Sequence, residues 1–373
     1  MHKMKGNYMN KRITALAIIS ILTLSLAGCS CSNTSNLSNT TTNTTTNPAN
    51  NFGNYHPALR EYVYRNAGEK IIDNQSVPDS YREPATMQGR LQYEDYNTFD
   101  YNGDMRQMEK YLVVYTPYGY DSSKEYDILY VTHGHTGGAT TWIGSPTDPH
   151  NMKNVLDHLI ENGEVRPMIV VSVTYYDDNK DEETSDYDME ILNAFGKELR
   201  NDIVPFVESK YSTYAKSTDP EGLKASRDHR IMGGFSMGGV TTCQQICESM
   251  DYFRFYMPVS GSLYWTTDAY SNRKNFDAGA KMENAVKAQG YGKDDFFVYI
   301  STGTVDFAKS TVDMQFDDVK NHPNMFKVGL PGEEGVNYCY GLGLNEGHND
   351  HGRETAVYNA LPAISALIGQ REQ

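Results

Sequence analysis

One serine, set between glycines, is the residue of this chain best suited to nucleophilic chemistry. Residues 234–238 read GFSMG and fit the pattern G-x-S-x-G. In that pattern the serine occupies a strained turn between a strand and a helix, where small neighbours let the backbone pass closely and the helix N-terminus favours negative charge. An apolar run precedes the motif and a helical run follows it. We therefore predict that Ser236 is a nucleophile; the alternative is a glycine turn with a purely structural role.

A serine hydroxyl becomes reactive at neutral pH beside a general base, which an acidic residue orients. The chain order serine, acid, histidine is that of the hydrolase fold. Downstream of Ser236, the apolar run FFVYISTGTVD ends at Asp306, and NEGHNDHG contains His348 directly after a glycine. We predict a triad of Ser236, Asp306 and His348, although Asp306 also suits a helix N-cap. The competing residues lie in or beside predicted helical sequence: Asp313, Asp317, Asp318 and His351.

The segment VTHGHTGG at 131–138 ends another apolar strand and supplies a candidate oxyanion site. His133 and Gly134 match the H-G element that lies beside the oxyanion hole of many esterases, where backbone N–H groups stabilise the developing negative charge. We predict that the backbone amides of His135 and Met237 are these donors. The side chain of His133 is then structural.

Two histidine spacings admit a metal site as an alternative. His348 and His351 form H-x-x-H, but no carboxylate or third ligand follows at the spacing of zinc proteases. His133 and His135 form H-x-H, without the D-H pair that completes a dinuclear metal motif. We therefore predict neither a metal nor a cofactor.

The N-terminal segment predicts export. Residues 1–28 combine a basic start with the apolar run ITALAIISILTLSLA, which is short for a membrane span. The tetrapeptide LAGC resembles a bacterial lipobox, so we predict cleavage before Cys29 and lipidation of Cys29, which would anchor the protein to the outer face of a bacterial membrane. The alternative is an ordinary signal peptide. Residues 29–55 are rich in Ser, Thr and Asn and predict a flexible linker, and residues 56–373 predict a single catalytic domain.

The composition is that of a folded protein with an acidic surface. Hydrophobic residues make up 39% of the chain and aromatic residues 12%, which suits a globular core. The 33 basic and 48 acidic residues give a net charge of −15, which argues against a nucleic-acid partner. The sequence does not indicate an oligomeric state.

Apolar runs alternate with helical patterns from about residue 110 onwards. The strand candidates are 111–120, 126–134, 166–175, 229–235, 253–261 and 295–306; the helix candidates are 195–211 with a kink or break at Pro205, 239–250 and 356–369. Continuous apolar strands are typical of a sheet covered on both faces. We therefore predict an α/β fold with a mostly parallel central sheet flanked by helices, and a site at the carboxyl ends of its strands.

Several blocks of the chain resemble secreted feruloyl esterases and related family-one carbohydrate esterases. They are KYLVVYTPYGYDSSKEYDILYVTHGHTGGATTWIG, SRDHRIMGGFSMGG, GTVD and EGHNDHGRETAVYNALP, in family order, preceded by a segment similar to the first hairpin of the family. The resemblance covers roughly residues 80–370 and implies an α/β-hydrolase fold, ester hydrolysis without a metal, and the triad and oxyanion roles given above. His135 is a departure, because many relatives have Gly or an apolar residue there, so the preferred acyl group is open.

The resemblance also implies a substrate, namely hydroxycinnamoyl (feruloyl) esters on plant cell-wall xylan, cleaved through an acyl-enzyme. The partner is then an ester-bearing plant polysaccharide or oligosaccharide. Trp142, Tyr264 and Trp265 are candidate walls for the feruloyl ring; the alternative is ordinary aromatic packing. The alternative functions are an acetyl-xylan or short-chain acyl esterase, a non-catalytic glycan-binding surface lipoprotein, and an esterase for a non-carbohydrate ester.

Overall fold

The computed structural model describes residues 55–176 and 188–372. The predicted signal peptide at 1–28, the predicted lipidation site Cys29 and the linker up to residue 54 lie outside the described residues. Within those two described ranges, the helices are either too short or too polar to cross a bilayer.

A ten-stranded sheet organises the domain, with the strand order β1-β2-β10-β9-β8-β7-β5-β6-β4-β3. The strands are β1 (Tyr64–Asn66), β2 (Ile71–Asn74), β3 (Arg90–Phe99), β4 (Gln107–Thr116), β5 (Asp127–Thr132), β6 (Met168–Val173), β7 (Arg230–Phe235), β8 (Phe255–Val259), β9 (Phe297–Gly303) and β10 (Tyr338–Gly343). The strands from β2 to β6 in this order pair in parallel. Antiparallel pairs complete the two edges, β1 on β2 and the β3–β4 hairpin on β6.

Helices cover both faces of the sheet. They are α1 (Asn151–Glu161), α2 (Asp188–Glu198), α3 (Val204–Lys210), α4 (Pro220–Ala225), α5 (Met237–Glu248), α6 (Thr267–Ser271), α7 (Ala278–Ala288), α8 (Lys309–Lys320) and α9 (Asp350–Arg371). Shorter turns are 3-10 segments at Asp79–Tyr81, Arg227–His229 and Leu263–Trp265, and a π turn at Leu199–Ile203. The architecture is the predicted α/β fold.

The two faces of the sheet build two apolar clusters. One cluster includes side chains of α1 and α9, and the other includes side chains of α5, α7 and α8. Within β5, Ile128 and Tyr130 belong to the second cluster, while Leu129 and Val131 belong to the first. Each central strand therefore buries both of its faces, which explains its continuous apolar sequence.

The structure adds elements that the sequence pattern does not predict. Residues 71–74 form β2, which pairs in parallel with β10, so the first part of the domain contributes a strand to the central sheet. The sequence of β10 itself, YCYGLG, contains two glycines and lacks a clear strand signal. The kink or break predicted at Pro205 takes the form of a π turn: α2, the π turn at Leu199–Ile203 and α3 follow one another without a break, and Pro205, which has no N–H to donate, comes two residues after the π turn.

Parallel pairing brings the carboxyl ends of β5, β7, β8 and β9 to one edge of the sheet. The oxyanion segment follows β5, Ser236 follows β7, and Asp306 lies three residues after the end of β9. His348 lies between the end of β10 and the start of α9. Each predicted catalytic residue is thus in a loop at the same edge, where ligands bind in open α/β sheets.

A buried ion pair fixes the start of the strand that carries the serine. Arg230 is the first residue of β7, and its Nε and Nη2 donate to the two carboxylate oxygens of Glu208 in α3, at 2.6 and 2.9 Å. Both side chains are at most 1% exposed. A bidentate pair of this kind holds α3 against β7 in a defined position.

We expect Glu208→Ala to lower the free energy of unfolding by about 3–5 kcal/mol, because it leaves the Arg230 guanidinium buried without its carboxylate. Urea denaturation measures this loss. The matched control is Glu125→Ala, which removes an exposed ion pair with Lys216 and should cost about 1 kcal/mol or less. Equal losses in the two variants would contradict the role assigned to Glu208.

Candidate active site

Ser236 lies in a strained turn between β7 and α5. Its backbone has φ 57° and ψ −116°, a conformation that a residue with a side chain adopts at a cost of about 1–3 kcal/mol. The N–H of Ser236 donates to the carbonyl of Val259 at 2.9 Å, which ties the turn to β8. The predicted strand–turn–helix setting of the G-x-S-x-G motif is therefore present.

The two motif glycines are required by close approaches of the backbone. A Cβ at Gly234 would lie 2.1 Å from the carbonyl oxygen of Gly238, and a Cβ at Gly238 would lie 2.2 Å from that of Thr132. Neither position tolerates a side chain. The end of β5 and the start of α5 can therefore approach Ser236 only when both residues are glycine.

A hydrogen-bonded chain joins Ser236, His348 and Asp306. The distance between His348 Nε2 and Ser236 Oγ is 2.8 Å, and the distance between His348 Nδ1 and Asp306 Oδ1 is 2.9 Å. Because an ionised carboxylate can only accept, Nδ1 carries a proton and Nε2 is left to accept one from the serine hydroxyl. The structure thus brings together the three residues predicted as a triad.

Asp306 is buried and accepts several hydrogen bonds. Its Oδ2 accepts from the Ser260 hydroxyl at 2.6 Å, and its Oδ1 accepts from the backbone N–H of Ala308 at 2.7 Å as well as from His348. Burial alone would raise the pKa of this carboxyl, but the hydrogen bonds from His348, Ser260 and Ala308 outweigh it. The pKa of Asp306 therefore lies below its ordinary value, which keeps the group ionised at neutral pH.

The competing histidine and carboxylates have other partners. His351 follows Asp350 in the first turn of α9 and is half exposed. Its Nδ1 lies 2.6 Å from Glu346 Oε2. Asp313 accepts from the Tyr340 hydroxyl at 2.7 Å and lies in α8, as the sequence predicts. These residues are thus held by contacts outside the serine–histidine–aspartate chain.

His133 is fully buried beneath the loop that follows β5. Its Nδ1 lies 2.6 Å from the carbonyl oxygen of Gly134, and its Nε2 lies 2.8 Å from Thr174 Oγ1. A carbonyl cannot donate, so Nδ1 carries the proton and Nε2 accepts from Thr174. Burial, chiefly, lowers the pKa of His133 to about 3, with Lys110 adding to the effect. The imidazole is therefore neutral, which agrees with a structural role.

The carbonyl of Gly134 is anchored from several sides. It accepts from His133 Nδ1, from the Tyr175 hydroxyl at 2.9 Å and from the backbone N–H of Gly137 at 3.2 Å. The peptide bond is planar and trans, so fixing this carbonyl also fixes the opposite direction for the N–H of His135 on the same peptide. A buried polar network thus determines where the predicted oxyanion donor points.

The second predicted donor is the N–H of Met237, the first residue of α5. The first N–H groups of a helix have no partner within the helix. The loop after β5 lies directly against the serine, since a Cβ at Gly134 would be 3.0 Å from Ser236 Cβ. The His135 and Met237 amides therefore belong to segments that meet at Ser236.

The structure corrects two of the three predicted walls for an aromatic acyl group. Trp142 is 1% exposed and donates from Nε1 to the carbonyl of Thr132 at 2.7 Å. Tyr264 is 4% exposed, and its hydroxyl lies 2.7 Å from Asp318 Oδ2. Neither ring offers surface to a ligand, because both are packed into the apolar clusters. Trp265 is partly exposed and stays a candidate.

Three further residues at this edge lie outside the sequence prediction. Ser260 and Tyr175 hold Asp306 and Gly134, respectively, and Phe307 places its ring 4.0 Å from the His348 ring. In the sequence, these three residues are marked only by their position, since each follows a strand or lies next to Asp306. Such a signal does not separate a supporting residue from an ordinary loop residue.

Among the described residues, one group of three side chains has ligand atoms close enough to hold a metal ion. It consists of Asp127, His229 and Glu372, at the start of β5 and thus at the opposite edge of the sheet from Ser236. Arg166 lies 3.2 Å from Asp127 Oδ2 and 2.9 Å from Glu372 Oε1. A guanidinium already supplies positive charge there, so the group fits an ion-pair network better than a metal site.

Comparison with known proteins identifies a family for this chain. Residues 106–328, more than half of the chain, match the family Esterase, described as "Putative esterase". Endo-1,4-beta-xylanase Y of Acetivibrio thermocellus is 37% identical over 256 residues, which are 69% of this chain and 21% of that protein. The chain therefore spans about a fifth of the length of this curated relative.

Solved structures extend the match to most of the chain. A mutant of the feruloyl esterase module from Clostridium thermocellum, complexed with sinapinate, is 34% identical with a TM-score of 0.68, and the match covers 82% of this chain and 95% of that one. A ferulic acid esterase of Anaeromyces mucronatus, 16% identical with a TM-score of 0.55 over 80% of this chain and 100% of that one, shares the fold. The resemblance seen in the sequence is confirmed, and the chain belongs to the Esterase family of carboxylic ester hydrolases with an α/β-hydrolase fold.

Proposed function

We propose that this protein hydrolyses hydroxycinnamoyl esters, of the feruloyl type, on plant cell-wall xylan. The observation that carries the proposal is the hydrogen-bonded chain from Ser236 through His348 to Asp306, with distances of 2.8 and 2.9 Å, on a strained turn. The match to a feruloyl esterase module over nearly its full length supports the acyl group. The xylanase relative supports the polymer.

The first half of the proposed reaction forms an acyl-enzyme. His348 Nε2 takes the hydroxyl proton of Ser236 as Oγ attacks the ester carbonyl carbon. The Asp306 carboxylate, ionised and held by Ser260, stabilises the imidazolium that results. The negative charge on the former carbonyl oxygen is stabilised by the N–H groups of His135 and Met237.

The tetrahedral intermediate then breaks down. The bond between the acyl carbon and the alcohol oxygen breaks, and His348 Nε2 gives its proton to the departing alcohol. Water attacks the acyl-enzyme in the second half, with His348 again acting as base and then returning the proton to Ser236 Oγ. The products are the carboxylic acid and the alcohol, here a saccharide hydroxyl.

The same machinery would serve a short acyl group. Because burial removes Trp142 and Tyr264 from the candidate pocket, Trp265 is the aromatic ring left from that prediction to contact a feruloyl group. Activity on acetyl-xylan or other short-chain esters is therefore the second candidate function.

We also propose that the protein is exported and anchored through Cys29 by a lipid, with residues 29–55 as a spacer. A polymeric substrate lies outside the cell, so an exported enzyme would meet it directly. The lipobox-like sequence LAGC supports this proposal.

We expect Ser236→Ala to abolish turnover of methyl ferulate and of an aryl acetate, because the variant has no nucleophile for an acyl-enzyme. Initial rates on the two esters, measured with the wild-type domain, also compare the two candidate functions: activity confined to the acetate would reject the feruloyl proposal. Ser209→Ala is the matched control, since Ser209 is exposed on α3 and its hydroxyl donates to the carbonyl of Phe206 in the same helix. Full activity of Ser236→Ala would reject the mechanism.

We expect Tyr175→Phe to lower kcat roughly fivefold with little change in KM, because one hydrogen bond worth about 1 kcal/mol that orients the His135 amide is lost. The effect falls on kcat because the oxyanion forms only in the transition state. Tyr115→Phe is the matched control, as it removes a buried hydroxyl bonded to Asp157 at 2.8 Å, on the antiparallel side of the sheet. If kcat fell by the same factor in both variants, the loss would indicate general destabilisation of the protein instead.

The neutral state of His133 predicts a dependence of stability on pH. The unfolded chain binds this proton near pH 6.5 and the folded protein only near pH 3, so stability falls as pH drops through that interval. Between pH 7 and pH 5 we expect the wild type to lose about 2 kcal/mol more than His133→Gln, which lacks the titrating group. Urea denaturation at both pH values gives the difference, and parallel losses would contradict a buried neutral imidazole.

A further inference from the structure

Three exposed apolar side chains lie on the two loops that follow β9 and β10, the second of which carries His348. Val305 and Phe307 are each 66% exposed, and Leu344 is 54% exposed. These are the three highest exposed fractions among the large apolar side chains of the described residues. We call Val305, Phe307 and Leu344 the rim patch.

The rim patch stands on a rigid base. The backbone N–H of Thr304 donates to the carbonyl of Gly343 at 2.9 Å, and the N–H of Val305 donates to that of Glu346 at 3.1 Å. The N–H of Asn345 donates to Thr304 Oγ1 at 2.8 Å. These bonds join the loop after β9 to the loop after β10, so the exposed side chains keep a fixed position relative to Asp306 and His348.

Phe307 is the member of the patch that reaches the predicted base. Its ring centroid lies 4.0 Å from that of His348, while the buried Phe235 lies 4.6 Å from the same imidazole. Phe235 packs His348 from within the core. Phe307 adds a second ring, and most of its surface faces solvent. The contact with His348 therefore uses only a small part of the Phe307 ring.

The chemistry of ester cleavage defines what occupies the space next to His348. The alcohol that leaves must accept a proton from Nε2, so its oxygen lies within hydrogen-bond distance of that atom as the acyl-enzyme forms. The group carried by that oxygen therefore lies beside the imidazole. The acyl carbonyl oxygen points instead toward the N–H groups of His135 and Met237.

We propose that Phe307, flanked by Val305 and Leu344, is a subsite for the sugar of the leaving alcohol. The proposal rests on the proposed function. A pentose ring carries C–H groups on its faces and hydroxyls at its edge, so it can cover an apolar platform while its hydroxyls stay in water. The patch carries no charge, which suits a neutral saccharide. Phe307 thereby selects the alcohol side of the ester, and the acyl side is selected elsewhere.

The test compares two esters with the same acyl group, a feruloylated arabinoxylo-oligosaccharide and methyl ferulate. For Phe307→Ala we expect KM on the oligosaccharide to rise roughly threefold to tenfold, the range expected for one aromatic contact. On methyl ferulate, which has no sugar, KM should stay within about twofold of the wild-type value, and a loss that comes from the contact with His348 should lower kcat equally on both esters. Phe307→Tyr keeps the ring and should retain wild-type KM on both esters. Tyr93→Ala removes a similarly exposed ring from the edge strand β3 and is the matched control.

Equal losses on the two esters would assign Phe307 to the packing of His348 and overturn the subsite, and so would unchanged kinetics on both. Failure of the proposed function gives a different result. If the wild type cleaves acetate but not ferulate, the same comparison is made between an acetylated xylo-oligosaccharide and a methyl or aryl acetate. A sugar-selective loss in that pair still supports the subsite, and its absence overturns it.

Discussion

The site depends on one steric constraint, the close crossing of three backbone segments at Ser236. The end of β5, the end of β7 and the start of α5 approach so tightly that Gly234 and Gly238 have no room for a Cβ. At the same crossing Ser236 adopts a positive φ, and its hydroxyl lies 2.8 Å from His348 Nε2. Packing on both faces of the sheet opposes relaxation of the turn, since the strands cannot shift without opening two apolar clusters.

A second level of organisation is polar and buried. Lys110 Nζ donates to the carbonyl of Thr174 at 2.8 Å and also pairs with Glu198, while Thr174 Oγ1 bonds His133. The chain of contacts ends at the Gly134 carbonyl, whose peptide carries the N–H of His135. Each member is satisfied, so the network adds rigidity where an unpaired group would be costly. An oxyanion donor that is positioned in advance needs little reorganisation during the reaction.

Local motifs in the sequence predicted the parts of the site that rest on one segment each. These parts are Ser236 with its glycines, Asp306 after a strand and His348 after a glycine. Residue type, chain order and spacing are enough to recognise them in the sequence. The strand β10 and the pairing of residues 71–74 are not predicted, because a glycine-containing strand and a strand of only four residues depend on partners distant in sequence. The wrong predictions for Trp142 and Tyr264 have a similar cause. Whether an aromatic residue near a motif is buried or exposed depends on tertiary packing, which the motif does not encode.

Two histidines of one site are given opposite chemistry by their surroundings. His133 is buried away from water, and its partners are a neutral hydroxyl and a carbonyl. If the ring took up a proton, Nε2 could no longer accept the hydrogen bond from Thr174. His348 has the Asp306 carboxylate 2.9 Å from Nδ1 and keeps an exposed edge. The rings of Phe235 and Phe307 add their electron-rich faces to the environment of a transient imidazolium. The site therefore excludes positive charge at His133, which holds the Gly134–His135 peptide in place. It accommodates positive charge at His348, which must take up and release a proton. The two histidines thus cannot exchange roles.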